Sequence, residues 1–329
     1  MPENTLLQIE DLQVCLHSVT LLRQISLHID SGEILGLVGE SGSGKSLTAL
    51  SIMGLLETPP MRTVSGRILF NHHSMLEADA AMLESIRGNE AGMIFQEPMT
   101  SLNPVFTIGD QVMEVLYLHT QMNRQAAMIE AKKLMQRVGL MPAELSLTRY
   151  PHQLSGGQRQ RVMIAMAIAC NPLLLIADEP TTALDVTVQA QILELLDQLR
   201  REHNMSMLLI AHDLGVVRHY CDRVAVMYCG QIVEQATSNK LFLQPRHPYT
   251  LALLKTIPAA NPAGIELPSI PGSVPAPESL PSGCSFAPRC ERATPQCHRD
   301  EPPLSGDVHR VRCWHPIEHT QFNVDSCNG

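Results

Sequence analysis

The chain has 329 residues, of which 44% are apolar and 17% charged, enough apolar surface to build a core and too much for a disordered protein. Its 24 lysines and arginines stand against 33 acidic residues, the formal net charge is −9, and only 4% of the residues are aromatic. A dedicated nucleic-acid-binding protein needs basic surfaces and stacking rings, so that class is disfavoured. No stretch approaches the ~20 consecutive apolar residues of a membrane-spanning helix.

The first 257 residues show the patterns of an α/β fold, in which short apolar strands alternate with helices. In chain order, three segments predict a small antiparallel β subdomain: 7–14, 26–29 and 66–70. Three apolar runs predict buried strands of a largely parallel sheet: 34–38, 173–177 and 207–211. Helices are expected after the first of these strands and between the other two, at 46–56 and 186–201.

Two further segments lie within the 1–257 domain, and a different composition follows it. An inserted helical subdomain is predicted at about 75–165, and a hairpin at 223–235 with Cys229 and Gly230 at its turn. Residues 258–329 form a C-terminal extension that holds seven prolines between 258 and 283 and then five cysteines. Because proline excludes regular helix and interior strand, we expect a linker or extended arm followed by a Cys-rich tail.

A Gly-rich segment after the strand at 34–38 predicts a phosphate-binding loop. It matches the pattern G-x-x-x-x-G-K-[ST] in the required order of strand, loop and helix, with the residues Gly39, Glu40, Ser41, Gly42, Ser43, Gly44, Lys45 and Ser46. Glycines let backbone N–H groups turn toward phosphate oxygens, and the helix adds its positive N-terminus. We expect Lys45 to reach the β- and γ-phosphates and Ser46 to bind Mg²⁺.

Two acidic residues follow the apolar run at 173–177, at the carboxyl end of the predicted strand. Ligands of open parallel sheets bind beyond these strand ends. Asp178 is therefore expected to hold Mg²⁺, usually through water, and Glu179 to act as the general base for the attacking water. Alone, the pair would suit an ordinary polar strand end, but the P-loop favours the catalytic interpretation.

The segment Leu154-Ser155-Gly156-Gly157-Gln158 resembles the signature of the ATP-binding cassette (ABC) ATPases. The resemblance implies a P-loop NTPase with a RecA-like core and with ATP and Mg²⁺ as cofactors. It also implies that the start of the following helix binds the γ-phosphate of an ATP held by an opposite subunit, through Ser155, Gly156, Gly157 and Gln158. The chain would then be catalytically complete only as half of a head-to-tail pair.

The same resemblance assigns three more residues. Gln96 fits the Q-loop, which reports Mg²⁺ and γ-phosphate to the helical subdomain, so the expected magnesium ligands are Ser46, Gln96 and Asp178. Asp185, in Ala183-Leu184-Asp185, fits the D-loop at the dimer contact. His212 follows the strand at 207–211 and fits the switch histidine that contacts the γ-phosphate.

The sequence departs from the ABC pattern at the adenine base. The family usually stacks an aromatic ring on adenine from its first strands. The corresponding segment here, 15–18, has no Phe, Tyr or Trp. Either Leu16 or His17 packs on the base, or the site binds adenine less tightly.

Finer strings resemble the oligopeptide/dipeptide/nickel importer branch of the family: 95–104, 247–250, 268–272 and 283–290. This resemblance implies an ATP-hydrolysing subunit at the cytoplasmic face of the plasma membrane, beneath two permease subunits. It further implies a second ATPase subunit, identical or paralogous, and an extracytoplasmic solute-binding protein. The alternative is a soluble ABC ATPase without a transport role. Such proteins usually carry tandem cassettes or a long coiled coil, and the sequence has neither.

Four of the C-terminal cysteines form the spacing Cys284-x5-Cys290-x6-Cys297-x15-Cys313. In a reducing compartment, such a group binds metal more often than it forms disulfides. Four thiolates suit Zn²⁺ or an iron–sulfur cluster, and these gaps lack the short C-x2-C pairs of common zinc ribbons. Resemblance to the importer branch favours a [4Fe–4S] cluster, with zinc and free thiols as alternatives.

Overall fold

The strands form two β-sheets in the computed structural model, which describes residues 4–97, 101–182, 184–257 and 269–318. In chain order the strands of these residues are β1 (Thr5–Leu16), β2 (Val19–Asp30), β3 (Ile34–Val38), β4 (Met61–Phe70), β5 (His73–Ser74), β6 (Ala91–Ile94), β7 (Leu174–Asp178), β8 (Ser206–Ala211), β9 (Arg223–Tyr228), β10 (Gln231–Thr237) and β11 (Arg310–Val311). The smaller sheet has the order β2-β1-β4-β5 and is antiparallel, which confirms the predicted antiparallel subdomain.

The larger sheet has the order β11-β10-β9-β3-β8-β7-β6. Its five strands from β9 to β6 run parallel, and every residue of β3, β7 and β8 is buried. Continuous apolar runs suit such strands because helices cover both faces of a parallel sheet. The hairpin of β9 and β10 turns at Cys229 and Gly230, both with positive φ, as predicted.

The helices of the described residues are α1 (Lys45–Ile52), α2 (Ala80–Ile86), α3 (Ile108–His119), α4 (Arg124–Arg137), α5 (Ala143–Leu147), α6 (Gly156–Ala167), α7 (Val186–His203), α8 (Leu214–Tyr220), α9 (Ser238–Leu243), α10 (Pro248–Lys255) and α11 (Pro295–Arg299). Short 3₁₀ helices lie at Pro151–Gln153, Pro277–Ser279 and Ala287–Arg289. Side-chain caps begin several of the helices; Thr107, Asn123 and Asp185 each accept a backbone N–H at the start of α3, α4 and α7. Across this part of the chain, no helix has the length and apolarity to cross a membrane.

The range predicted for the helical subdomain, about 75–165, includes one strand of the main sheet. β6 lies inside that range but pairs in parallel with β7, so it is the edge strand of the main sheet. Its four residues are too few to show a strand period in the sequence. The helices α3 to α6 do pack on one another, and Val112, Leu116, Ala131 and Leu134 share one core.

The C-terminal extension, as far as it is described, is not a free arm. Residues 269–318 fold back on the cassette (residues 4–257), where β11 pairs with β10, Val311 opposite Glu234. Phe286 is 3% exposed and packs edge-on against Tyr228, with ring centroids 5.4 Å apart. In residues 269–318 the helix and the strand have five and two residues, as expected for a proline-rich segment. Side chains of this part, such as Phe286, nevertheless pack against the cassette.

Candidate nucleotide-binding site

The P-loop lies between β3 and α1, where its glycines are required by geometry. Gly39 has φ +154° and Gly44 φ +105°, conformations that side chains rarely adopt. A Cβ at Gly39 would also collide with the carbonyl oxygen of Met227. Ser41 and Gly42 are exposed, whereas the Ser43 Oγ atom is buried and has no hydrogen-bond partner among the described residues. An orphaned hydroxyl in a loop of this shape fits a phosphate ligand.

The Lys45 side chain folds back onto the P-loop. Its Nζ donates to the carbonyl oxygens of Gly39 and Glu40, at 2.9 and 3.1 Å. The residue is 5% exposed, and desolvation by burial lowers the pKa of its ammonium group. Carbonyl oxygens accept its hydrogen bonds and the nearby carboxylates of Glu179, Asp178 and Glu40 favour its charge, so a triphosphate would add an anionic partner in direct contact.

Two of the three predicted magnesium ligands, Ser46 at the start of α1 and Asp178 at the end of β7, are in contact. Ser46 Oγ donates to Asp178 Oδ1 over 3.0 Å, although 132 residues separate the two in the chain. Asp178 is 4% exposed, and burial raises the pKa of its carboxyl group. Oxygen donors of this type suit Mg²⁺, and a bound dication would favour the ionised carboxylate.

Glu179 is the centre of a second cluster. Its Oε2 accepts from Gln96 Nε2 at 2.8 Å and from Thr182 Oγ1 at 2.9 Å, and it lies 3.9 Å from His212 Nδ1. Its backbone has φ +47°, a left-handed conformation that is costly for a residue with a side chain. The structure thus brings together Gln96, Glu179 and His212, the three predicted catalytic residues, and adds Thr182, which the sequence analysis did not single out.

The signature segment lies at the start of α6. Ser155 caps this helix in a capping box with Gln158, and both Ser155 and Gly156 are exposed. A Cβ at Gly157 would come within 3.0 Å of Val188 Cγ1, so the segment lies beside the beginning of α7, which Asp185 caps. The predicted signature and the predicted D-loop residue Asp185 therefore lie close to each other. Ala183 lies outside the described residues.

Two residues that reach the P-loop were missed in the sequence analysis. Tyr249 Oη accepts the backbone N–H of Glu40 at 2.9 Å, and the Arg289 guanidinium binds the Glu40 carboxylate at 2.7 and 3.0 Å. Both residues lie in strings that carried the importer resemblance, 247–250 and 283–290. These strings indicated the importer branch, but nothing in them indicated a contact with a loop more than 200 residues away in the chain.

The four predicted metal-binding cysteines, Cys284, Cys290, Cys297 and Cys313, line one small cavity of about 10 Å³. Burial raises the pKa values of three of the thiols, that of Cys313 to about 11. Within residues 4–97, 101–182, 184–257 and 269–318, no group of three or more His, Cys, Asp or Glu side chains is arranged to hold a metal ion. The metal-site geometry thus gives the [4Fe–4S] prediction no support. Cys327 lies outside the described residues.

A strand–loop–helix unit with a buried lysine, next to carboxylates from a neighbouring strand end, defines a P-loop nucleoside triphosphatase. Sequence profiles narrow this class. The family described as ABC transporter matches residues 22–182, and the family described as oligopeptide/dipeptide transporter, C-terminal region, matches residues 233–297.

Related proteins align with nearly the whole chain. The oligopeptide transport ATP-binding protein AppD of Bacillus subtilis is 54% identical over 294 residues, 88% of this chain and 89% of AppD. The oligopeptide transport ATP-binding protein OppD of Salmonella typhimurium is 46% identical and covers 96% of both chains. A dimeric post-hydrolysis structure of the ATP-binding cassette MJ0796, bound to ADP and Pi, is 27% identical with a TM-score of 0.63, covering 70% of this chain and 98% of that one. The chain belongs to the ABC transporter family of ATP-binding proteins.

Proposed function

We propose that this chain binds and hydrolyses ATP to power an ABC importer for peptides or related small solutes of the dipeptide, oligopeptide and nickel class. The observation that carries the proposal is the meeting of Lys45, the Ser46–Asp178 pair and Glu179 at the carboxyl ends of the parallel strands. The transport role is supported by AppD and OppD, both described as oligopeptide transport ATP-binding proteins.

The side chains divide the work at the nucleotide. The P-loop N–H groups and Lys45 bind the phosphates, and Ser46, Asp178 and Gln96 would hold Mg²⁺, which neutralises developing charge on the phosphate oxygens. Glu179 accepts the proton of the attacking water, and Gln96 and Thr182 orient its carboxylate by hydrogen bonds. His212 is 63% exposed at its side chain, so it is accessible to a γ-phosphate.

The decisive experiment replaces the proposed base, Glu179→Gln. The amide keeps a similar shape but cannot accept a proton, so turnover should fall by about 10²–10⁴-fold while Mg-ATP binding persists. Steady-state phosphate release and equilibrium ATP binding measure the two effects separately. Unchanged turnover would remove Glu179 from this role.

The proposal includes a head-to-tail pair of ATPase subunits, identical or paralogous. Ser155 and Gly156 are exposed at the N-terminus of α6, and in a pair this end would face a γ-phosphate held by the partner. The dimeric MJ0796 structure supports this arrangement by analogy. ATP-dependent dimerisation of the Glu179→Gln variant, followed by size-exclusion chromatography, tests it; Ser155→Arg should prevent the dimer without unfolding the chain.

A groove beside Gln96 is the proposed permease-docking surface. It has a volume of about 230 Å³ and its lining includes Leu55, Phe95, Leu102, Val115, Met163 and Met166. Apolar and Met-rich grooves accept a helix from a partner, and Phe95 is 40% exposed here. Gln96, next to Phe95 in this groove, would couple closure of the nucleotide site to movement of a permease helix bound there.

We place the working complex at the cytoplasmic face of the membrane, with two permease subunits and an extracytoplasmic solute-binding protein. Co-purification of the chain with two membrane subunits from native membranes tests this part of the proposal. The alternative, a soluble ABC ATPase, predicts an active protein without membrane partners. Val115→Glu in the groove should abolish co-purification and leave basal ATP hydrolysis intact.

We keep the [4Fe–4S] cluster as a proposal that rests on the resemblance to the importer branch; Cys284, Cys290, Cys297 and Cys313 line one cavity, but the described residues hold no group arranged to bind a metal ion. Metal would bind these groups as thiolates, against the raised thiol pKa values of the metal-free chain. Anaerobic purification followed by iron, sulfide and zinc analysis, with the visible absorption spectrum, decides among cluster, zinc and free thiols.

A further inference from the structure

Glu40, the second residue of the P-loop, is held by contacts from the loop itself, from α10 and from the C-terminal extension. Its carbonyl oxygen accepts from Lys45 Nζ at 3.1 Å, and its backbone N–H donates to Tyr249 Oη at 2.9 Å. Its carboxylate accepts from both terminal nitrogens of Arg289, at 2.7 and 3.0 Å. One residue therefore joins the phosphate-binding lysine to the C-terminal extension.

Arg289 is itself held rigidly. Its Nε donates to the carbonyl oxygen of Pro271 at 2.9 Å, and Nη1 lies 3.3 Å from Tyr228 Oη. Its side chain is 4% exposed, against 28% for Glu40. A two-pronged guanidinium–carboxylate pair with fixed donors specifies direction as well as distance. The position of the extension is thus transmitted to Glu40.

The charge of Glu40 makes this contact relevant to nucleotide binding. Glu40 is the only acidic residue of the loop 39–46, and its carboxylate acts on the Lys45 charge. A carboxylate in a loop that binds a triphosphate repels the ligand unless a cation compensates it. Arg289 supplies that cation from a position outside the cassette.

We infer that Arg289 is a positioning residue for nucleotide binding, which holds the P-loop through Glu40 and neutralises the carboxylate of that loop. The inference rests on the nucleotide site proposed above. Folding of the extension then becomes a condition for full ATP affinity, because the cassette alone contains Glu40 without its counter-charge. The extension acts on the ATP site without touching the nucleotide.

The test measures the Kd for Mg-ATP of the full chain by titration calorimetry, with circular dichroism to verify folding. Arg289→Gln should raise the Kd by about tenfold to a hundredfold, since it leaves Glu40 uncompensated and the loop displaced. Arg289→Lys keeps the charge and should lose less affinity. The second change Glu40→Gln, added to Arg289→Gln, should restore much of the lost affinity, because it removes the repelling charge.

Glu301→Gln is the matched control, since Glu301 also ties the extension to the cassette, through Arg23 at 2.5 Å, but does not touch the P-loop. Its Kd should equal that of the wild type. A wild-type Kd in Arg289→Gln, or no recovery in the double variant, would overturn the inference. If the wild type itself fails to bind Mg-ATP, the proposed function falls and this inference with it, so the two failures are distinguishable.

Discussion

The cassette and its C-terminal extension bury their residues by different means. The cassette depends on strands such as β3 and β7, in which every residue is buried and the backbone pairs on both sides. The extension has one strand of two residues in its described part, and it attaches through an aromatic side chain, Phe286, and through the ion pairs of Arg289 and Glu301. A region with little regular structure is therefore attached to the cassette mainly by side-chain contacts, of which Phe286 and Arg289 are buried and Glu301 is partly exposed.

Phe286→Ala should produce the largest loss of stability and so test whether the extension is an integral part of the fold. Phe286 is 3% exposed and packs on Tyr228 and on Tyr249, at 5.4 and 5.3 Å between ring centroids. Its removal should lower the free energy of unfolding by about 3–5 kcal/mol, as for a core residue of the cassette such as Phe70. Urea unfolding of Phe286→Ala and of Phe70→Ala measures the two losses. The exposed Val308 provides a control, and a loss as small as that of Val308→Ala would mean a loosely attached extension.

Lys45→Ala, in the cassette, should lower ATP turnover strongly without lowering the stability of the fold. Loss of the phosphate-binding charge should lower ATP turnover by about 10²–10³-fold. Stability should be retained or improved, because burial lowers the pKa of Lys45 and its removal relieves a desolvated cation. Phosphate release and thermal unfolding separate the two effects. A turnover close to that of the wild type would contradict the assignment of Lys45 to the nucleotide-binding site.

A pH series on His247 tests the buried junction between cassette and extension. Desolvation lowers the pKa of His247 to about 4, the neighbouring carboxylate of Glu234 opposing this shift. The folded chain therefore binds fewer protons here than the unfolded chain between about pH 4 and 6.5, so stability is lost as the pH falls through that window, by about 3 kcal/mol at most. The difference between wild type and His247→Gln in urea unfolding isolates this group. A pH-independent difference would show that His247 does not titrate there.

The smallest effect is expected for Glu301→Gln. Glu301 pairs with Arg23 and, at 3.7 Å, with Arg312, and its side chain is 31% exposed, so the two ion pairs together should contribute about 1 kcal/mol at most and weaken further in salt. Unfolding at low and high ionic strength measures it. A loss comparable to that of Phe286→Ala would mean that ion pairs, rather than aromatic packing, hold the extension.

Local patterns were sufficient for much of the cassette. The apolar runs at β3, β7 and β8 predicted strands because parallel strands are buried on both faces, and the P-loop pattern predicted its own turn because its glycines are needed for positive φ. The strand β6 was not predicted, since its four residues gain their conformation from pairing with β7.

The sequence by itself therefore determined the class of fold, the phosphate loop and the identity of the charged residues at the strand ends. Only the tertiary structure decided which of these meet, as in the Ser46–Asp178 and Gln96–Glu179 hydrogen bonds, and that Arg289 reaches Glu40 across 249 positions. The physical reason is range: backbone conformation and burial periodicity are encoded within a few residues, whereas the partner of a charge depends on how distant segments pack.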